Sequence, residues 1–242
     1  MRRILAILVL CAIVGSACSE PVAPELEEVR AGQGTLSLGY SGAVSGRDSV
    51  AGSLSIRREA SDALGDGSLI GEGAFCESVF LDADTTHPGV RIHYVVAHFQ
   101  IIPPTGDRIL LSMLFGMLDS GRLDPFVTRG AVGMYETKLE ETWRSESLPY
   151  RWAQVELVAA PGVLRSETLQ LGRAHAQGGS PGHRFTAEPG DARIEIESFD
   201  DAHMHTIRGF VSGTLTDAAG ETVVLERSPF EIVAPLVNVR RF

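Results

Sequence analysis

The sequence predicts an all-β protein, an antiparallel β-sandwich or partly closed β-barrel, and two observations carry that expectation. The first is strand grammar near the C-terminal end. Ala192, Ile194 and Ile196 alternate with Arg193, Glu195 and Glu197, which gives one apolar and one charged face. Residues 206–216 repeat the period of two, with Ile207, Gly209, Val211, Gly213 and Leu215 on one side. Asp217-Ala218-Ala219-Gly220 then reads as a hairpin loop with glycine where φ must be positive, and residues 222–225 and 230–233 return as a third strand. The second observation is recurrence. Roughly nine or ten short alternating segments are separated by turns, as in sandwiches and barrels, and the 26 glycines and 12 prolines supply those turns.

In chain order, residues 34–40 alternate Leu36, Leu38 and Tyr40 with small or polar residues and predict a half-buried strand. The glycine-punctuated residues 41–46 turn or bulge it, and residues 50–56 pair back. Residues 57–71 are polar and small, which predicts an exposed loop with room for a helical turn near residues 59–64. Strands follow at 74–81 and 90–102. The second of these is apolar on both faces, apart from His93, His98 and Gln100, which suits the centre of a sheet.

Residues 108–118 fit a buried strand or a core helix, since periodicity alone does not separate them, and the β-rich context favours strand. Residues 132–137 lead into 139–143, a short amphipathic helix or an irregular crossing. Residues 151–159 form a strand, and 174–190, rich in glycine and proline, form a long loop before the C-terminal meander.

The N-terminus carries a different signal. Arg2 and Arg3 precede an apolar run over residues 4–14, too short to cross a hydrocarbon core of about 30 Å as a helix. Gly15, Ser16, Ala17 and Cys18 follow, the layout of a cleaved export signal. Val14-Gly15-Ser16-Ala17-Cys18 resembles the bacterial lipobox, in which the cysteine receives a diacylglyceryl thioether and becomes the new N-terminus. The plainer alternative is ordinary cleavage near Ala17 with Cys18 incidental. The expected organisation is a signal peptide over residues 1–17, a flexible acidic and proline-containing tether over 18–33, and one β-rich domain over 34–242.

The C-terminal pattern adds to this. Residues 192–196, Ile207-Arg208-Gly209-Phe210-Val211-Ser212-Gly213-Thr214-Leu215, Gly220 and Phe230-Glu231-Ile232 resemble the closing strands of uncharacterised bacterial lipoproteins. That resemblance implies fold and location, with no activity to carry over. For a lipoprotein of the lipobox type, Ser19 after the cysteine implies attachment to the outer membrane where the cell has one, facing the periplasm or the cell surface. The expected partner of Cys18 is the membrane, and any protein, peptide or glycan partner is left unidentified by the sequence.

Charge and motifs limit the function classes. The formal charge is −10, and removing residues 1–17 takes away Arg2 and Arg3 and no acid, leaving −12. That balance repels nucleic acid, and no basic cluster offsets it. No G-x-S-x-G, S-x-x-K, H-E-x-x-H or phosphate-loop motif is present. A non-catalytic domain without a cofactor is therefore the expectation.

The rival is a metal-binding protein or an envelope enzyme that uses Asp200-Asp201-Ala202-His203-Met204-His205. There His203 and His205 share a strand face with Asp201 nearby. Asp82, Asp84 and His87 make a looser set. Trp143, Tyr150 and Trp152 would stack on a sugar or peptide if they stood at one end of the fold, and otherwise would fill its core. Cys76 reads as a small buried hydrophobe.

Overall fold

Successive side chains on a strand point to opposite faces, so a sequence alternating every second residue folds with its apolar set turned to one side. A computed structural model describes residues 26–30, 32–59, 67–82, 91–103, 108–119, 132–138, 150–160, 165–166, 183–200 and 205–239. Those residues form strands β1 (Leu26–Arg30), β2 (Gln33–Gly42), β3 (Gly46–Gly52), β4 (Ser55–Glu59), β5 (Gly67–Ile70), β6 (Gly73–Asp82), β7 (Arg91–Ile101) and β8 (Arg108–Asp119). They continue with β9 (Gly133–Glu136), β10 (Tyr150–Ala160), β11 (Arg165–Ser166), β12 (His183–Thr186), β13 (Ala192–Asp200), β14 (His205–Thr216), β15 (Thr222–Ala234) and β16 (Leu236–Val239).

Twelve of these strands make one sheet. Along it run β16, β6, β7, β8, β10, β12, β14, β15, β2 and β3, while β13 pairs with β14 and β9 pairs with β13. The pairings are antiparallel except that of β16 with β6. The sheet curls until its ends approach each other. Ser53, just past β3, bridges Ala74 of β6, and the Leu54 N–H donates to the Ala74 carbonyl at 2.7 Å. β16 continues from β15 and lies along β6. The result is a nearly closed barrel, an architecture that leaves few free strand edges.

The inward faces fill with apolar side chains from every side of the circuit. Leu36 and Leu38, Ala74 and Cys76, alternate residues of β7, β8 and β10 (Val95, Phe99, Leu111, Phe115, Val155 and Leu157 among them), Phe185, and the apolar set of β13 to β15 contribute to a single cluster. The expected core of the meander (Ile194, Ile196, Ile207, Val211, Leu215, Phe230 and Ile232) is buried throughout. Cys76 is fully buried, and desolvation pushes its thiol well above the ordinary range, which leaves it unreactive.

Residues 108–119 form a strand, and the physical reason for the ambiguity is visible. Ile109, Leu111, Met113 and Phe115 face the core, while Leu110, Ser112 and Leu114 are buried on the opposite face. The neighbouring outward residues Phe75, His98, Gln100 and Trp152 are buried too. Strands covered on both faces lose their alternation.

Three expectations change. The polar stretch 57–71 holds the end of β4 and all of β5, which join β1 and β11 in a separate four-stranded sheet. The expected helical turn falls largely outside the described residues. The segment expected as a tether contains β1, whose register with β4 places Glu27 opposite Arg58 and Glu28 opposite Arg57. The glycine-rich residues 174–190 contain β12, which pairs with β10 over four residues and with β14 at Thr186 and Thr216.

Thr137, at the end of β9, ties the turn before β13 in place. Its hydroxyl donates to the Glu188 carbonyl at 2.7 Å and accepts from the Gly190 and Ala192 N–H groups at 3.1 and 3.2 Å. Valine has the same shape but no hydroxyl. Thr137→Val is therefore expected to cost about 1–3 kcal/mol, the usual cost of leaving buried polar groups unpaired. Urea unfolding measures it, and an unchanged midpoint would show that the hydroxyl contributes nothing.

Candidate functional site

Three places in the barrel bring chemically capable side chains together. The first is at the seam between β6 and β14. Pairing of β16 with β6 brings the C-terminal strands against Ser78, whose N–H donates to the Pro235 carbonyl at 3.1 Å. The Ser78 hydroxyl lies 2.7 Å from His205 Nδ1, and the Phe199 ring stands 5.0 Å from the imidazole. A hydroxyl bonded to an imidazole has the form of a nucleophile and its base. Here Ser78 is 0% and His205 3% exposed, so the hydroxyl and the imidazole are closed off from solvent within the seam.

The second place is the outward face of β7 and β8. Register sets His98 directly opposite Ser112, and His98 Nδ1 is 2.9 Å from the hydroxyl. Burial lowers the His98 pKa to about 4, because the charged form would lose its hydration. The imidazole is then neutral at pH 7. Gln100, two residues on, donates from Nε2 to the Gly71 carbonyl, while its buried Oε1 has no hydrogen-bond partner among the described residues.

The third place is a rim of the barrel. His183 begins β12, and Asp217 and Glu221 flank the hairpin between β14 and β15. One ligand atom from each lies within 4.8 Å of the others. Each stands two residues beyond a fully buried core residue: His183 from Phe185, Asp217 from Leu215, and Glu221 from Val223. The period of two therefore carries all three toward the space above the end of the core. The His183 and Phe185 rings are nearly parallel, with centroids 6.2 Å apart.

The residues expected to act are distributed differently. His205 is the imidazole of the buried seam pair, and Asp200 is exposed at the end of β13. Asp201, His203, Asp84, His87 and Trp143 lie outside the described residues, as does Cys18. Tyr150 and Trp152 are 1% and 2% exposed, and the Lys138 ammonium sits 4.7 Å above the Tyr150 ring, so neither aromatic presents a free face. The pair Glu195 and Glu197 is a solvated face bridged by Arg227, whose Nη2 is 3.2 and 3.4 Å from the two carboxylates.

That same guanidinium covers the Phe210 ring at 3.3 Å. Beside it a shallow depression of about 660 Å³ opens on the outer surface, lined in part by Ser37, Glu197, Arg208, Phe210 and Pro229.

Sequence reasoning missed the rim cluster because its members come from separate segments, one of them expected to be loop. The usable signal was the position of Asp217 and Glu221 on either side of a tight hairpin. The class these features define is a nearly closed antiparallel β-barrel with a packed interior. Comparison with protein-family models, with curated proteins and with solved structures finds no match to this chain.

Proposed function

We propose that the protein is a lipid-anchored component of the cell envelope, held at the outer membrane through Cys18, with a barrel whose role is binding or structural and not catalytic. The observation that carries this reading is the run Val14-Gly15-Ser16-Ala17-Cys18 behind a basic and then an apolar segment. The barrel is compatible with it. Its two hydroxyl–imidazole pairs are buried, and its interior faces are filled with apolar side chains, so recognition of a protein, peptide or glycan falls to the outer surface and the rims.

One acyl chain gives marginal membrane binding, whereas two or more give stable attachment. The diacylated or triacylated protein is accordingly expected in the membrane pellet, labelled by radioactive palmitate. Cys18→Ser is expected to abolish the label and move the protein to the soluble fraction. Persistent labelling of that variant would defeat the proposal.

A further inference from the structure

We propose that His183, Asp217 and Glu221 form a site for a divalent transition-metal ion at the rim of the barrel, with zinc as the best-suited probe. One imidazole and two carboxylates are the donor types that hold zinc and manganese in open sites, where solvent or a bound group completes the coordination. Four features of the rim support the site, and none depends on the proposed lipid anchor.

The first is convergence. Three different strand ends deliver their donors to one place, with ligand atoms within 4.8 Å of one another. Two donors about 2.0–2.2 Å from one zinc lie roughly 3.4 Å apart at the tetrahedral angle, so closure onto an ion draws the ligand atoms together by at most about 1.4 Å, a distance that side-chain rotation at an exposed rim covers.

The second is preorganisation. Asp217 Oδ1 accepts the N–H groups of Ala219 and Glu221 at 2.9 and 2.8 Å, which fixes the carboxylate and leaves Oδ2 available. The hairpin is closed further by Asp217 N–H to Glu221 O at 2.9 Å and Gly220 N–H to Asp217 O at 3.1 Å. Held outer interactions of this kind orient metal ligands.

The third is charge. Asp217 and Glu221 are two carboxylates side by side, and neither forms an ion pair with an arginine or lysine among the described residues. The nearby Arg184 is engaged by Glu156 at 2.7 Å. A divalent cation relieves that repulsion. The fourth is access: Ala218, Ala219 and Gly220 leave the hairpin without bulky cover, and His183 and Glu221 are exposed.

The test is titration of zinc chloride into the full-length protein, purified in detergent and stripped with a chelator, followed by calorimetry in a non-coordinating buffer. One equivalent is expected to bind saturably, and chelation is expected to lower the melting temperature of the loaded protein. Glu221→Gln and His183→Ala are each expected to weaken binding by at least about tenfold, since changes even to supporting residues cost 10- to 100-fold. Asp217→Asn is the sharper variant. Its side-chain oxygen still accepts the two backbone N–H bonds, so the hairpin persists while the second carboxylate oxygen is lost as a ligand.

Absence of saturable binding would overturn the proposal. So would one equivalent whose affinity is unchanged in Glu221→Gln and Asp217→Asn, because that metal would be held by other histidines. If His183→Ala fails to fold, the two conservative variants, whose circular dichroism is expected to match wild type, decide the matter.

Discussion

Gly213→Val is expected to destabilise the barrel by about 3–5 kcal/mol, from the combined cost of backbone strain and overpacking. Gly213 has φ of +150°, a conformation that side chains on L-residues rarely adopt, and a Cβ there would collide with Ala192 Cα and Cβ and with the Asp191 carbonyl. The position is also a junction. Gly213 pairs with Ala192 on β13 and Leu225 on β15, immediately after the register of β14 and β15 shifts. The next N–H, from Thr214, donates to Asp191 at 2.9 Å. A side chain there forces β13 away from β14, where the sheet has no slack.

Gly220→Ala supplies the comparison. Its φ is +84°, but a Cβ would meet nothing within 4 Å, so only conformational strain of about 1–2 kcal/mol is expected. Urea unfolding of the Cys18→Ser form, which the proposed anchoring leaves without an acyl chain, would measure both. Equal losses at the two positions would show that close approach at Gly213 is not what requires glycine.

Acid is expected to remove about 3 kcal/mol of stability through His98 alone, from a depressed pKa of about 4 in the fold against 6.5 for the ordinary side chain. Between those values the unfolded chain holds a proton that the folded chain refuses, so stability rises with pH across the window. The contribution is complete above about pH 6.5, declines as pH falls toward 4, and changes no further below it. His98→Gln keeps an amide opposite Ser112 and cannot titrate in this range. Unfolding free energies measured from pH 7 to pH 4 are expected to fall less steeply in His98→Gln than in wild type, and the difference isolates the imidazole from the carboxylates. Parallel curves would mean that His98 is hydrated or paired in a way its burial does not indicate.

Strand identity could be read wherever one face meets solvent, as in Ala192 to Glu197, because alternation then appears in the residues themselves. It could not be read at Ile109 to Phe115, where both faces are buried and every position is apolar or small. Closure of the sheet was not legible, because it depends on partners distant in sequence: Ser53 with Ala74, β16 with β6, and Thr186 with Thr216. The same distance hid the rim cluster. His183 sits in a glycine-rich stretch with a four-residue strand too short to show a period, and only its pairing brings it over the β14–β15 hairpin. His205 was legible as a functional type but not as a buried one, since Ser78 lies 127 residues away. The run Val14 to Cys18 is local, which is why the proposed lipid attachment at Cys18 rests on the sequence without any knowledge of the fold.

Intact-mass measurement and N-terminal peptide mapping of the protein extracted from its own membranes bear most directly on the proposal of an envelope barrel anchored through Cys18. The expected first residue is Cys18, carrying a diacylglyceryl thioether, with residues 1–17 absent. A chain that retains residues 1–17, or one that begins near Ser19 or at Cys18 with a free thiol, would contradict the account.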